Sequence, residues 1–140
     1  MLTVKTHLGL SPIHGIGIFA SEPIPKGKIV WVFHPNVDLA LTEDMIQALD
    51  PHCRAQVEKY CYFDAPSQKY ILCGDDARHF NHSTEPNCDD HDTQVAHVTV
   101  AARDIGEGEE LTCDYSVFDA RFFPEELNPC PGSLPYDHRE

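Results

Sequence analysis

A chain of 140 residues is long enough to bury one core and too short for two independent domains. Its 10 Lys and Arg stand against 23 Asp and Glu, a formal charge of −13, which argues against direct attraction to nucleic acid and favours a basic partner. None of the 6 Cys forms a CxxC pair and no apolar run approaches the roughly 20 residues of a bilayer span, so the expectation is no zinc module, no membrane segment and a cytosolic location with reduced thiols.

The first third alternates β-branched and aromatic residues with turn residues: GIGIFA from Gly15, then SEPIPKG, then KIVWVF. This predicts two strands joined by a tight turn in which Gly27 supplies the freedom in φ. In LTEDMIQALDPHCRAQVEKY, Thr42 with Asp44 is placed to cap a helix on which Met45, Ile46 and Leu49 recur, and Pro51 ends or interrupts it. YCYFDAPSQKYIL returns to strand character, a hairpin that bends at Pro66 and Ser67. RHFNHSTEPNC, Arg78 to Cys88, is too polar for a core and reads as a metal site, a solvated loop or the floor of a pocket. Next, VTVAARDIGEGEELTCDY echoes the beginning, for Ala20, Ile24 and Gly27 return as Ala101, Ile105 and Gly108 at the same spacing. Two similar strand–turn–strand units follow from the echo, too few for a solenoid. Beyond Tyr115 the chain is rich in Pro and ends polar, so residues 121–140 are expected to form a partly flexible extension. The whole reads as a mostly β protein with one or two short helices.

Three segments in order, HGIGIFA, ARHFNHSTEPNC and GEELTCDY, resemble the SET domain, the family of lysine methyltransferases that use S-adenosylmethionine. NHSxxPNC followed by GEELTxDY is the specific part, and the resemblance covers about residues 13–116 of a domain spanning 1–120. It implies a β-clip-like fold of several small curved sheets, with a C-terminal segment threaded beneath the NHS loop. Asn81, His82 and Tyr115 would then meet in one pocket, and RHFNHSTEPNC would be polar because it lines that pocket.

A sulfonium, an amino-acid tail and an adenine need nearby acceptors, a carboxylate partner and a flat apolar slot. The resemblance gives the tail to the loop His14, Gly15, Ile16 and Gly17, where glycines let backbone approach a ligand. His14 stands where many relatives carry Arg, and neutral His is a weaker anion partner. Asn81 would meet the cofactor through its polar groups and His82 largely through its backbone near adenine. Phe118, Phe122 and Phe123 either stack on adenine or pack on the core.

Tyr115 is the expected centre of the chemistry, contacting both cofactor and substrate. A lysine amine with pKa ~10.4 is only about 0.04% neutral at pH 7, so an apolar aromatic channel is needed to free its lone pair. Tyr60 and Tyr62 resemble the aromatic pair that lines this channel in relatives. Cys113 occupies a position where similar domains carry an aromatic residue that bounds the lysine pocket. Being smaller and a poor donor, it implies room for di- or trimethyl-lysine.

His82, Cys88, Asp89, Asp90, His91 and Asp92 crowd together but match no common metal spacing, and only Cys130 follows Tyr115 where some relatives bind zinc with three Cys. No metal is expected. The implied substrate is a basic protein segment such as a histone or histone-like tail. The other reading is a catalytically silent SET module that binds basic peptides. A homodimer would complete the substrate groove.

Overall fold

The computed structural model describes residues 1–92 and 97–122. Phe123, Cys130 and the extension from residue 123 onward lie outside the described residues. Strands β1 (Thr6–Leu10) and β2 (Ile16–Ala20) pair antiparallel, with Gly9 opposite Gly17. Strand β3 (Ile29–Val32) follows, so the two strands expected from GIGIFA and KIVWVF both form, but they do not pair with each other. Each finds its partner elsewhere.

After β4 (Leu39–Leu41) come two short helices, α1 (Glu43–Gln47) and α2 (Pro51–Tyr60). Thr42 caps α1 by accepting the Met45 N–H, as its position suggested. Pro51 ends the first helix and also opens the second, where its missing N–H costs nothing and the Asp50 carboxylate accepts from His52 and Cys53. The hairpin bending at Pro66 and Ser67 is β5 (Tyr62–Asp64) with β6 (Lys69–Leu72), and β4 completes a three-stranded sheet in the order β4-β6-β5. A 3-10 turn at Asp76–His79 leads into the two-residue β7 (Asn81–His82). Then β8 (Cys88–Asp92) and β9 (His97–Ala101) join β3 in the order β3-β9-β8. Finally β10 (Thr112–Cys113) pairs with β7, and the single-turn α3 (Tyr115–Phe118) closes the described chain. Several small sheets with short helices is the architecture read from the sequence.

The two echoing turns face one another. Ile24 and Ile105 exchange both backbone hydrogen bonds at 2.8 Å, Gly27 N–H donates to the Ala101 carbonyl at 2.7 Å, and Gly108 N–H donates to the Ala20 carbonyl at 2.8 Å. The outer bonds match as well: Ala101 N–H to the Lys28 carbonyl and Ala20 N–H to the Glu109 carbonyl, each 2.9 Å. An approximate twofold axis therefore relates the units, and each lends its apolar residues to one core. Ile18, Ala20, Ile24 and Val30 come from the first, Ala101, Ile105, Leu111 and Cys113 from the second. At about 1.5–3 kcal/mol for each fully buried aliphatic side chain, this shared core fixes where β2 sits relative to β10.

Both turns need a left-handed residue, Gly27 at φ 80° and Gly108 at φ 86°, and a Cβ added at either would meet nothing within 4 Å. The cost of Gly27→Ala and of Gly108→Ala is therefore backbone strain alone, roughly 1–2 kcal/mol each. Urea denaturation should return the same loss for both within error. A loss at only one of them would show that the two turns are not equivalent.

Candidate active site

Asn81 and His82 meet the GEELTCDY segment because β7 and β10 run parallel, Asn81 opposite Thr112 and His82 opposite Cys113. Two-residue parallel strands bind each other weakly. The buried side chain of Asn87 supplies what they lack: its Oδ1 accepts from the Thr112 N–H at 2.9 Å and its Nδ2 donates to the Glu110 carbonyl at 2.7 Å. Asn87 N–H donates to Thr112 Oγ1 at 3.2 Å, and Ser83 N–H to the Cys113 carbonyl at 3.0 Å. PNC thus clamps GEELTC against NHS.

The GIG loop is tied to the same place. Asn81 Nδ2 donates to Glu110 Oε1 at 2.7 Å, to the His14 carbonyl at 3.1 Å and to the Ile16 carbonyl at 3.4 Å. Glu110 Oε2 accepts from Ser11 Oγ at 2.9 Å, and that oxygen accepts the Ile13 N–H, also at 2.9 Å. A Cβ on Gly17 would lie 2.2 Å from Glu110 Oε1, so Gly17 is small to admit this carboxylate. Gly15 has φ 49° and open space where a Cβ would stand, and Ile16 beside it is exposed. Glu110 is a site residue that sequence reasoning passed over. Its signal was the second acid of GEEL, directly before the buried Leu111.

Tyr115 opens α3. Its N–H donates to His82 Nδ1 at 3.2 Å and its hydroxyl donates to the Phe80 carbonyl. Burial, with the nearby Cys113 second, pushes its phenol well above the ordinary range, so it stays protonated at neutral pH and is no phenolate base. Two groups of rings meet on it. His82 and Phe122 lie 5.4 and 5.6 Å from the Tyr115 ring and 4.6 Å from each other, measured between centroids. Phe118 lies 5.5 Å away and packs edge-on against Tyr62 at 5.0 Å. Phe118 therefore stands with the expected channel residue, and Phe122 stands beside His82.

The second group, together with Phe122 of the first, lines a cavity of about 680 Å³ whose walls include Tyr60, Tyr62, Phe80, Cys113, Tyr115 and Phe118. Tyr62 is held far from ionisation, chiefly by burial. Tyr60 ends α2 rather than lying on a strand; its ring meets His79 edge-on at 5.6 Å, with Lys59 Nζ over its face at 5.1 Å. Cys113 is at once cavity wall and core: it is 3% exposed, and burial raises its pKa well above the ordinary thiol value. Cys88 is fully buried, while Asp89 and His91 are exposed. Among the described residues no three His, Cys, Asp or Glu are grouped to hold a metal ion.

The family model of the SET domain matches residues 15–116. The chain belongs to the SET domain family. It is 31% identical over 137 residues to a Schizosaccharomyces pombe histone-lysine N-methyltransferase, H3 lysine-4 specific, an alignment covering 91% of this chain and 14% of that protein. With N-lysine methyltransferase KMT5A-A of Danio rerio it shares 33% identity over 115 residues, covering 72% of this chain and 32% of that protein. Among solved structures, the Neurospora SET domain protein DIM-5, a histone lysine methyltransferase, superposes with a TM-score of 0.57 at 20% identity, covering 81% of this chain and 53% of that one. A ctPRC2 structure bound to S-adenosylmethionine gives 0.61 at 21% identity, covering 84% of this chain and 16% of that one, and both likenesses are of fold. These relatives place the chain in a family of protein-lysine methyltransferases of which it spans the SET domain.

Asn87→Ala removes the clamp and leaves the Thr112 amide and Glu110 carbonyl without partners. The expected loss is roughly 2–4 kcal/mol of stability in urea, with faster hydrogen exchange at the Thr112 amide. Unchanged exchange there would mean that β7 alone holds β10.

Proposed function

We propose that the protein methylates the side-chain amine of lysine in a basic protein segment, such as a histone or histone-like tail, with S-adenosylmethionine as methyl donor. The observation that carries this reading is Tyr115: its protonated hydroxyl, held on the Phe80 carbonyl, is on the wall of an aromatic cavity while its backbone is bonded to His82 of the NHS motif.

The residues present suit the donor. The loop His14–Gly17 offers backbone groups beside the open face of Gly15, and the rings of His82 and Phe122, 4.6 Å apart and tilted 48° to each other, offer aromatic faces. The loop and the Asn81 amide would hold the amino-acid end, His14 standing near its carboxylate, and His82 with Phe122 would hold adenine. When bound, S-adenosylmethionine supplies a methyl group activated by a positive sulfur. The chain does the rest. Apolar walls of Tyr62, Phe80 and Phe118 disfavour the ammonium and so favour the neutral amine. Because the Tyr115 hydroxyl spends its proton on Phe80, its oxygen keeps lone pairs to accept an amine N–H and point the nitrogen lone pair. The charge of −13 draws basic segments from a distance.

Purified protein with labelled S-adenosylmethionine, core histones and a metal chelator should label lysine, and salt should raise the KM by screening. Tyr115→Phe should lower kcat by about 100-fold while S-adenosylhomocysteine affinity stays within about threefold. Full activity in that variant would show the chemistry to lie elsewhere, and a folded parent that binds neither form of the cofactor would refute the enzyme reading.

A further inference from the structure

The pleat of β8 buries Cys88, exposes Asp89, turns Asp90 inward and exposes His91. Asp90 lies opposite Thr99 of β9, and the Thr99 hydroxyl donates to its Oδ1 at 2.5 Å. The Cys113 thiol is its neighbour on the cavity wall. Its carboxyl shares the cavity wall with Tyr62, Cys113 and Tyr115.

Three carboxylates reach this cavity, those of Asp64, Asp90 and Asp119. Asp64 Oδ2 accepts the Ser67 N–H at 3.0 Å and lies 3.7 Å from His97 Nε2. Asp119 Oδ1 accepts the Phe63 N–H at 3.1 Å, the Arg121 N–H at 3.0 Å and Arg121 Nε at 3.4 Å. Asp90 differs from both: among the described residues its side-chain hydrogen-bond partner is an uncharged hydroxyl. Burial raises its pKa above the usual carboxylate value, as expected of a charge that lacks a counter-ion. A half-buried carboxylate with no charged partner among the described residues is suited to receive a cation.

We infer that Asp90 receives and orients the side-chain nitrogen of the substrate lysine inside the cavity, an assignment that rests on the methyltransferase reading above. The residue would first pair with the ammonium. The ammonium then releases one proton to solvent, and the two remaining N–H groups donate one to Asp90 and one to the Tyr115 oxygen while the lone pair faces the methyl group. In the transfer the nitrogen lone pair forms the new N–C bond, the C–S bond breaks with its electron pair left on sulfur as a thioether, and the positive charge passes from sulfur to nitrogen. A primary amine has two N–H groups, one for the Tyr115 oxygen and one for Asp90; a monomethylamine keeps one for Asp90 and a dimethylamine none. Asp90 therefore steers the first two transfers and holds nothing in a third, so the reaction ends at dimethyl-lysine even though Cys113 leaves the wall small.

The probe is n-butylammonium, which reproduces the lysine side chain beyond Cα, titrated by NMR with and without S-adenosylhomocysteine. The parent should bind it about tenfold more tightly than 1-butanol or butyltrimethylammonium, since one lacks the charge and the other the N–H. Asp90→Asn keeps the shape and an acceptor for Thr99, and should lose about tenfold in butylammonium affinity with 1-butanol unchanged. Equal binding of butylammonium and 1-butanol by the parent overturns the assignment, whether or not the variant folds, and so does a folded Asp90→Asn protein that binds butylammonium like the parent. Loss of S-adenosylhomocysteine binding with the butylammonium preference intact would instead overturn the methyltransferase reading and leave Asp90 as an ammonium site. On histone substrate with excess cofactor, the parent should accumulate dimethyl-lysine; accumulation of trimethyl-lysine would refute the steering role.

Discussion

One amide side chain, that of Asn87, joins the two halves of the candidate active site. Its oxygen and nitrogen are both committed to backbone groups of the 110–112 segment, and its own N–H goes to the Thr112 hydroxyl. No other common side chain offers a donor and an acceptor at that reach: Asp lacks the donor, Leu both, and Gln is longer by a methylene. The position of Tyr115 depends on this clamp, because the residue follows β10 directly and its N–H must arrive at His82 Nδ1. The geometry of the candidate site is a consequence of how a buried polar group satisfies itself.

The clamp acts on a frame already set by the paired turns. Reciprocal bonds between Ile24 and Ile105 hold the first and last thirds of the chain together, and the Leu111 N–H extends the contact to the Ile18 carbonyl at 2.8 Å. Glu110 lies between these two anchors, with Phe19 as its bridge partner on β2. Its carboxylate is thus delivered to Asn81 and to the face of Gly17. The loop assigned to the cofactor and the wall of the lysine cavity are in this way parts of one hydrogen-bonded body, and a shift of the GIG loop is felt at Asn81 without crossing solvent.

The sequence shows these parts unequally. HGIGIFA, NHSTEPNC and GEELTCDY are contiguous strings, so their chemistry can be read without knowing the fold, and the AxxxIxxG echo shows that two similar turns exist. That the turns face each other is invisible, because nothing local says that β2 pairs with β1 and β3 with β9. Pro51 reads as a stop for one helix, and its second role needs the Asp50 cap to be seen in space. Glu110 and Asn81 are 29 positions apart, and only folding makes them partners. Asp90 reads as one more acid in CDDHD until the pleat sets it apart from Asp89. Phe118 and Phe122 look interchangeable in the string, yet α3 ends at Phe118 and the rings part, one to Tyr62 and the other to His82.

Charge acts differently at the two length scales. The chain as a whole carries −13, but the titratable cavity walls set Lys59, Arg78 and Arg121 against Asp64, Asp90 and Asp119. The long-range field therefore comes from the rest of the surface, and it favours a basic partner without choosing which residue of that partner meets the cavity. Selection at the cavity is local. Lys59 Nζ and the Arg78 guanidinium lie 5.1 and 5.8 Å from the Tyr60 ring, so this rim is cationic and repels like charge within a Debye length of about 10 Å at 0.1 M salt. On the function proposed above, a target lysine with basic neighbours would lie so that those neighbours point away from Tyr60. The same flank that weakens the attraction of the cavity mouth thereby gives the bound segment a direction.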